Sequence, residues 1–215
     1  SGVSDVKAAD IDGDNDIDIV ASAASGGDKL SVFFNDGSPA GADWTEVAIE
    51  SACDKCQEIH IVDMDGDSDL DVLVVSEDDN SVFWYRNDGS PANGGWDKYT
   101  IASNLTAAIS VHAADIDDDD DIDVVAAGFT ADDIVWYVND GSPAGDNWTA
   151  VVIDGDFDGA RMVRAADLDG DDDIDVVAAG NEADDVSWWL NDGSPTGPNW
   201  TEYSIDNNFN GAFSI

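Results

Sequence analysis

The sequence predicts an all-β protein built from β-propeller-type blades, four repeats of about 52 residues with four antiparallel strands each. Three regularities lead there. The motif Asn-Asp-Gly-Ser-Pro begins at Asn35, Asn87, Asn139 and Asn191, each 52 residues after the last. A tryptophan follows it at Trp44, Trp96, Trp148 and Trp200 with the same spacing. An acidic nine-residue loop opens at Asp10, Asp63, Asp115 and Asp167, at intervals of 53, 52 and 52. A period of this size belongs to radially or linearly stacked supersecondary units.

The repeats fall at 1–52, 53–105, 106–157 and 158–209, and residues 210–215 are expected to begin the first strand of a fifth repeat. In the first unit the strands are expected at Val3–Ala9, Ile17–Ala23, Leu30–Phe34 and Trp44–Ile49. In the third they are expected at Ile109–Ala114, Ile122–Ala127, Ile134–Val138 and Trp148–Ile153. Each run is short, rich in Val, Ile and aromatic residues, and bounded by Asp, Asn and Gly. No run keeps helical spacing over ten residues. The Asn-Asp-Gly-Ser-Pro motif has the residues that accept positive φ and halt a strand, so it is a turn between the third and fourth strands.

Composition narrows the function classes. The chain of 215 residues carries 49 Asp and Glu against 7 Lys and Arg, a formal charge of −42, yet 43% of it is hydrophobic and it holds 8 Trp. That much apolar material separates it from acidic disordered tails. Without a basic stripe to neutralise phosphates, nucleic acid is excluded as a partner, and attraction to anionic membrane surfaces is disfavoured for the same reason. No segment has the length of a spanning helix, so membrane insertion is not expected. The opening residues read as the first strand of repeat one rather than as a leader.

The acidic residues are concentrated rather than spread. The loops read Asp-Ile-Asp-Gly-Asp-Asn-Asp-Ile-Asp (10–18), Asp-Met-Asp-Gly-Asp-Ser-Asp-Leu-Asp (63–71), Asp-Ile-Asp-Asp-Asp-Asp-Asp-Ile-Asp (115–123) and Asp-Leu-Asp-Gly-Asp-Asp-Asp-Ile-Asp (167–175). Carboxylates at positions one, three, five and nine of a tight loop can converge on one hard cation, with a backbone carbonyl near position seven. Oxygen-only donors suit calcium, and the absence of His and Cys from the loops argues against zinc or copper. A solvated acidic turn is the plain alternative. Two carboxylates about 5 Å apart repel by roughly 1 kcal/mol even in water, so five of them in nine residues cost several kcal/mol per loop. That is a large fraction of the roughly 5–15 kcal/mol that stabilises a domain. The apolar residue at position eight is expected to point into the core.

The Asp-x-Asp-Gly-Asp-x-Asp-φ-Asp loop, followed by Ile19-Val20-Ala21 or Val176-Val177-Ala178, resembles the FG-GAP/VCBS repeat family, the calcium-binding β-propeller repeats of integrin α chains and many bacterial surface proteins. The resemblance covers essentially the whole chain. It implies calcium as cofactor and side-chain ligands Asp10, Asp12, Asp14 and Asp18 in loop one, and Asp63, Asp65, Asp67 and Asp71 in loop two. In loop three they are Asp115, Asp117, Asp119 and Asp123, and in loop four Asp167, Asp169, Asp171 and Asp175. Asp16, Asp69, Asp121 and Asp173 would give their carbonyls. The chain departs from the family at position six, where Gly is replaced by Asn15, Ser68, Asp120 and Asp172, and loop three also has Asp118 for Gly at position four. Loop three is therefore expected to coordinate least regularly. The family's usual propeller has about seven blades against four units here.

Weaker signals complete the reading. Asp154-Gly-Asp-Phe-Asp-Gly159 is an acidic turn or an additional cation site, and the missing ninth acid favours the turn. Cys53 and Cys56, the two cysteines, lack the second pair of a zinc site and are expected to form a local disulfide in an oxidising compartment. His60 and His112 take related places before their loops and read as structural. Trp84, Trp136 and Trp188 are expected to fill space between blades rather than to stack on sugars. Asn104, Asn147 and Asn199 open Asn-x-Thr sequons, permissive for glycosylation. The expected function is an extracellular, calcium-stabilised structural or adhesive module at the cell surface. Its expected partners are other subunits, as a head-to-tail homopolymer or fibre formed by strand addition, or a cell-surface or glycan ligand. The alternative is a lectin-like carbohydrate-binding propeller. An enzyme is not expected, because every prominent acid belongs to a repeated loop and a catalytic residue should break the repeat.

Overall fold

The computed structural model describes residues 2–25, 28–41, 44–145, 148–195, 200–209 and 211–212. Its strands form four sheets, each of four consecutive antiparallel strands. The first holds β1 (Gly2–Ala9), β2 (Asp18–Ser25), β3 (Lys29–Phe34) and β4 (Thr45–Glu50), and the second β5 (Cys56–Val62), β6 (Asp71–Ser76), β7 (Ser81–Asn87) and β8 (Trp96–Ala102). The third holds β9 (Ala108–Ala114), β10 (Asp123–Gly128), β11 (Asp133–Val138) and β12 (Thr149–Asp154). The fourth holds β13 (Ala160–Ala166), β14 (Asp175–Gly180), β15 (Asp185–Leu190) and β16 (Thr201–Asp206). The chain divides into two compact units, Ser1–Ser103 and Asn104–Ile215, each carrying two sheets.

Burial explains the strand sequences. β6 and β10 are buried at every residue, which suits unbroken runs such as Asp-Val-Leu-Val-Val-Ser. β16, at the edge of its sheet, is exposed throughout, its apolar Tyr203 and Ile205 included. In the first unit Ile11, Val20, Leu30, Val32, Ile59, Val72, Val74 and Tyr85 pack into one core between its sheets. In the second unit Ile116, Val125, Trp136, Phe157, Val163, Val176 and Trp189 do the same. Cys53 and Cys56, both buried, are joined in a disulfide with Cα atoms 5.5 Å apart. The Cys53 N–H donates to Asp28 O at 2.9 Å, so this bridge fastens the entry to β5 onto the first sheet.

The second strands start one residue later than the sequence suggests, at Asp18 and Asp123. Ile17 and Ile122 stay in the loops, because the carboxylate of the following Asp is what captures the loop. Position eight is also not a uniform core position. Leu70 and Ile174 pack on the cores of their units, whereas Ile17 is 54% exposed. Position two sinks fully in the first three loops, as Ile11, Met64 and Ile116, whereas Leu168 in the fourth is 45% exposed. Trp84 and Trp136 are buried and Trp188 is half-buried, stacked on Tyr203 at 5.1 Å between ring centroids. His60 and His112 are half-buried on the first strands. Among the described residues no helix is long and apolar enough to cross a membrane.

Candidate metal centres

Each acidic loop joins the first and second strands of its sheet and folds on its own carboxylates. The position-one Asp accepts from the backbone N–H of position six: Asn15 to Asp10 Oδ2 (2.9 Å), Ser68 to Asp63 Oδ2 (2.9 Å), Asp120 to Asp115 Oδ2 (3.0 Å) and Asp172 to Asp167 Oδ2 (3.3 Å). The position-five Asp accepts from position seven, at 2.8 Å for Asp14, 3.0 Å for Asp67, 2.9 Å for Asp119 and 3.1 Å for Asp171. Such side-chain-to-backbone bonds are why Asp, more than Glu, makes this turn.

The ninth residue acts differently. Asp18, Asp71, Asp123 and Asp175 are fully buried. One oxygen accepts the N–H of position two (Ile11, Met64, Ile116 or Leu168, 2.9–3.2 Å). The other accepts the N–H of the turn asparagine (Asn35, Asn87, Asn139 or Asn191, 2.7–2.9 Å). Burial pushes Asp71 and Asp123 up to about 7 against the pull of these donors. Asp175 is raised for the same reason.

The turn asparagine was missed as more than a turn former. Its Oδ1 accepts the N–H of the glycine two residues on, and its Nδ2 donates to the position-eight carbonyl. Asn87 Nδ2 also reaches Ile11 O at 3.2 Å, and Asn191 Nδ2 reaches Ile116 O at 2.9 Å, tying each loop to the next sheet. The glycine that follows is fixed twice over. At Gly89 φ is +77°, and a Cβ there would lie 2.9 Å from Asp69 Oδ2. The recurring tryptophans close the same turn: Trp44, Trp96 and Trp148 donate Nε1 to the carbonyls of Pro39, Pro91 and Pro143 at 3.2–3.4 Å. Exact spacing of Asn, Gly, Pro and Trp was the available signal for this joint.

The loops gather their carboxylates closely enough to hold a metal ion. Oxygen atoms of Asp10, Asp12 and Asp18 lie within 4.8 Å of one another, as do those of Asp63, Asp65 and Asp71, of Asp115, Asp117 and Asp119, and of Asp167, Asp169 and Asp175. Each of Asp10, Asp65 and Asp117 keeps a buried Oδ1 with no hydrogen-bond partner. A buried carboxylate oxygen without a donor is costly, and a cation would satisfy it. Position three carries the strain: desolvation first, then the neighbouring carboxylates, raise Asp12, Asp65, Asp117 and Asp169. The residues thus fit a hard cation. Asp14, Asp67 and Asp171 stand outside these closest groups. Loop three groups Asp119 rather than Asp123, unlike the other loops. The Asp16, Asp69, Asp121 and Asp173 side chains lie instead against the turn glycines Gly37, Gly89, Gly141 and Gly193.

Loop three keeps the backbone of the others. Position four is left-handed at Gly13, Gly66, Asp118 and Gly170, with φ of +76°, +72°, +58° and +84°. Position six is left-handed in all four loops. A Cβ at Gly13, Gly66 or Gly170 meets nothing within 4 Å, so space permits Asp118 and only its φ is unfavourable. Loop two has a counter-charge of its own. Arg86 Nε lies 2.7 Å from Asp65 Oδ2 and its Nη2 3.2 Å from Asp67 Oδ2.

The other predicted sites resolve simply. Asp154 Oδ1 accepts Asp156 N and its Oδ2 accepts Trp189 Nε1 at 3.1 Å, so this motif is an acidic turn that steadies a core tryptophan. Asn104 is exposed, and Asn147 and Asn199 lie outside the described residues.

A family model for the FG-GAP-like repeat matches residues 10–74 and 63–126. No curated protein matches the chain significantly. Among solved structures, a lectin of Agrocybe aegerita, described for specific recognition of non-reducing terminal N-acetylglucosamine, is similar over 95% of this chain with 21% identity and a TM-score of 0.61. The biofilm matrix protein Bap1 of V. cholerae aligns over 98% of the chain at 14% identity with a TM-score of 0.46. The chain spans about half of the lectin (52%) and 40% of Bap1. The lectin likeness is one of fold.

Proposed function

The chain belongs to the FG-GAP-like repeat family, and on that premise we propose that it is an extracellular structural or adhesive module whose four sheets are β-propeller-type blades held by calcium. The observation that carries the reading is the set of three buried, donorless oxygens, Asp10 Oδ1, Asp65 Oδ1 and Asp117 Oδ1, each inside a group of crowded carboxylates. Calcium takes six to eight oxygen ligands with flexible geometry, and carboxylates with a loop carbonyl offer nothing else. Positions one, three, five and nine would supply side chains and position seven a carbonyl. When bound, the ion supplies charge neutralisation where the loop repels itself most.

The Cys53–Cys56 disulfide supports an oxidising compartment outside the cell. The module is not an enzyme in this reading, since its prominent acids serve loops. Assembly into a fibre by strand addition is its finer form. In support, Gly211 N donates to Asp184 Oδ1 at 2.8 Å as Gly159 N does to Asp132 Oδ1, and Ala212 is buried like Ala160, the first residue of β13. A glycan ligand is the second reading. It is favoured by the Trp188–Tyr203 stack, whose Tyr203 is 45% exposed, and by the fold shared with a lectin. The buried Trp84 and Trp136 offer no such platform.

Thermal melts test the calcium reading. Extracellular calcium modules bind at about 10⁻⁴–10⁻³ M, so millimolar calcium should raise the midpoint well above that in EDTA by mass action. Identical melts would overturn it.

A further inference from the structure

Within each unit the two sheets meet through the same joint. The residue four before the second loop is buried against the preceding sheet: Ile59 and Val163 are both 0% exposed. Their N–H groups donate to that sheet, Ile59 to Asp5 Oδ2 at 2.9 Å and Val163 to Ser110 Oγ at 3.1 Å. From the preceding sheet, position two of its loop is buried in return, as Ile11 and Ile116 at 2% exposure. The carbonyls of these two accept Asn87 Nδ2 and Asn191 Nδ2. In each unit the joint therefore has two sides, a receiving face on the later sheet, marked by the fourth residue before its loop, and a giving face on the earlier sheet, marked by position two.

The first and fourth sheets each display one of these faces to solvent. On the first sheet Val6, the counterpart of Ile59 and Val163, is 50% exposed, and Ile17, the counterpart of the packed Leu70 and Ile174, is 54% exposed. On the fourth sheet Leu168, the counterpart of Ile11 and Ile116, is 45% exposed. Asn35 makes the bond to Ile17 O that its counterparts make within their own sheets. Its other amide proton corresponds to the one that Asn87 and Asn191 direct to the preceding sheet.

We infer that these two faces join copies of the chain head to tail, the receiving face of one first sheet seated on the giving face of another copy's fourth sheet. Val6 and Ile17 meet Leu168 there, and Asn35 Nδ2 reaches Leu168 O as Asn87 reaches Ile11 O. Where the internal joints have the acceptors Asp5 and Ser110, the fourth sheet has Met162, so this joint is the more apolar one. The occupant is a second copy because both halves of a joint already used twice inside the chain are carried by the same molecule. A contact between unlike faces does not close on two copies and grows as a chain. The inference rests on the structural reading above and names the surface that would carry its assembly.

Sedimentation velocity over a concentration series, in excess calcium and below the melting temperature, tests it. Wild type should show a ladder of growing mass. Val6→Asp and Leu168→Asp, both at exposed positions and each checked for an unchanged melt, should weaken self-association about 30-fold or more, as loss of a hot spot does. Each variant keeps one good face, so an equimolar mixture should form dimers and stop there. A monomer at all concentrations, a closed dimer of wild type, or single variants that assemble like wild type would each overturn the joint. A monomer that still melts in a calcium-dependent way defeats the joint alone. A ladder with a calcium-independent melt defeats the calcium reading alone.

Discussion

Aspartates at positions nine and three of the acidic loops do different work, and the hydrogen bonds separate them. Asp123 is buried with both oxygens accepting backbone N–H groups, from Ile116 at 3.2 Å and Asn139 at 2.7 Å. Removing it strands two buried donors whatever the cation does, and each costs about 1–3 kcal/mol. Asp12 at position three of its loop is instead raised by desolvation and by the charges of Asp18 and Asp14. Taking away that carboxylate relieves repulsion when no cation is present. Asp123→Ala is therefore expected to lower the melting midpoint in EDTA and in calcium alike. Asp12→Ala should leave the EDTA midpoint unchanged or higher and lose stability only in calcium. Equal behaviour of the two variants in paired melts would show that the ninth residue is a ligand and nothing more.

At the scale of the loop, the backbone tolerates what the sequence made suspect. Asp118 takes φ +58° where the other loops have glycine, and the hydrogen bonds of loop three match theirs. Asp is among the few side chains that visit this region, at about 1 kcal/mol. Its substitution by glycine should raise the melting midpoint in EDTA by the equivalent of roughly 0.5–1 kcal/mol, less the entropy glycine brings to the unfolded chain. The closest carboxylates of loop three are at positions one, three and five rather than one, three and nine. Asp117→Ala should then cost less calcium-dependent stability than Asp12→Ala, and equal losses in calcium titrations of the two variants would refute that ranking. The existence of the loops and strands was legible because period-two patterns and a fixed repeat are local signals. The burial of position two, and the exposure of Ile17, were not. They depend on which sheet lies beside the loop, and the repeat pattern describes one sheet at a time. Arg86 escaped for a similar reason, being an isolated basic residue on β7 that meets Asp65 and Asp67 only after folding. The turn asparagines carried a signal, perfect 52-residue spacing, that a turn alone did not require.

For the molecule as a whole, charge density sets how stability responds to ions. Four calcium ions would change the formal charge only from −42 to −34 (−42 + 8), so their effect lies in where they sit. One register position before the loops recurs as a basic or imidazole side chain. Lys7, His60, His112 and Arg164 all stand three residues before an acidic loop, and Lys7 Nζ lies 3.0 Å from Asp5 Oδ2. The remaining repulsion is spread over exposed loops, where it is screened beyond a Debye length of about 10 Å at 0.1 M salt and about 3 Å at 1 M. Carboxylate oxygens within 4.8 Å of one another fall well inside the first length, whereas the second is short enough to damp the repulsion summed over a loop. In EDTA, raising sodium chloride from about 0.1 to 1 M should therefore raise the midpoint by several degrees. With calcium bound, the densest charge is already neutralised and the same salt step should do much less. Potassium chloride should reproduce the effect of sodium chloride, because screening depends on ionic strength and not on a coordinated ion. Parallel salt dependences with and without calcium would place the repulsion elsewhere on the surface, and the loops would no longer account for the acidity of the chain.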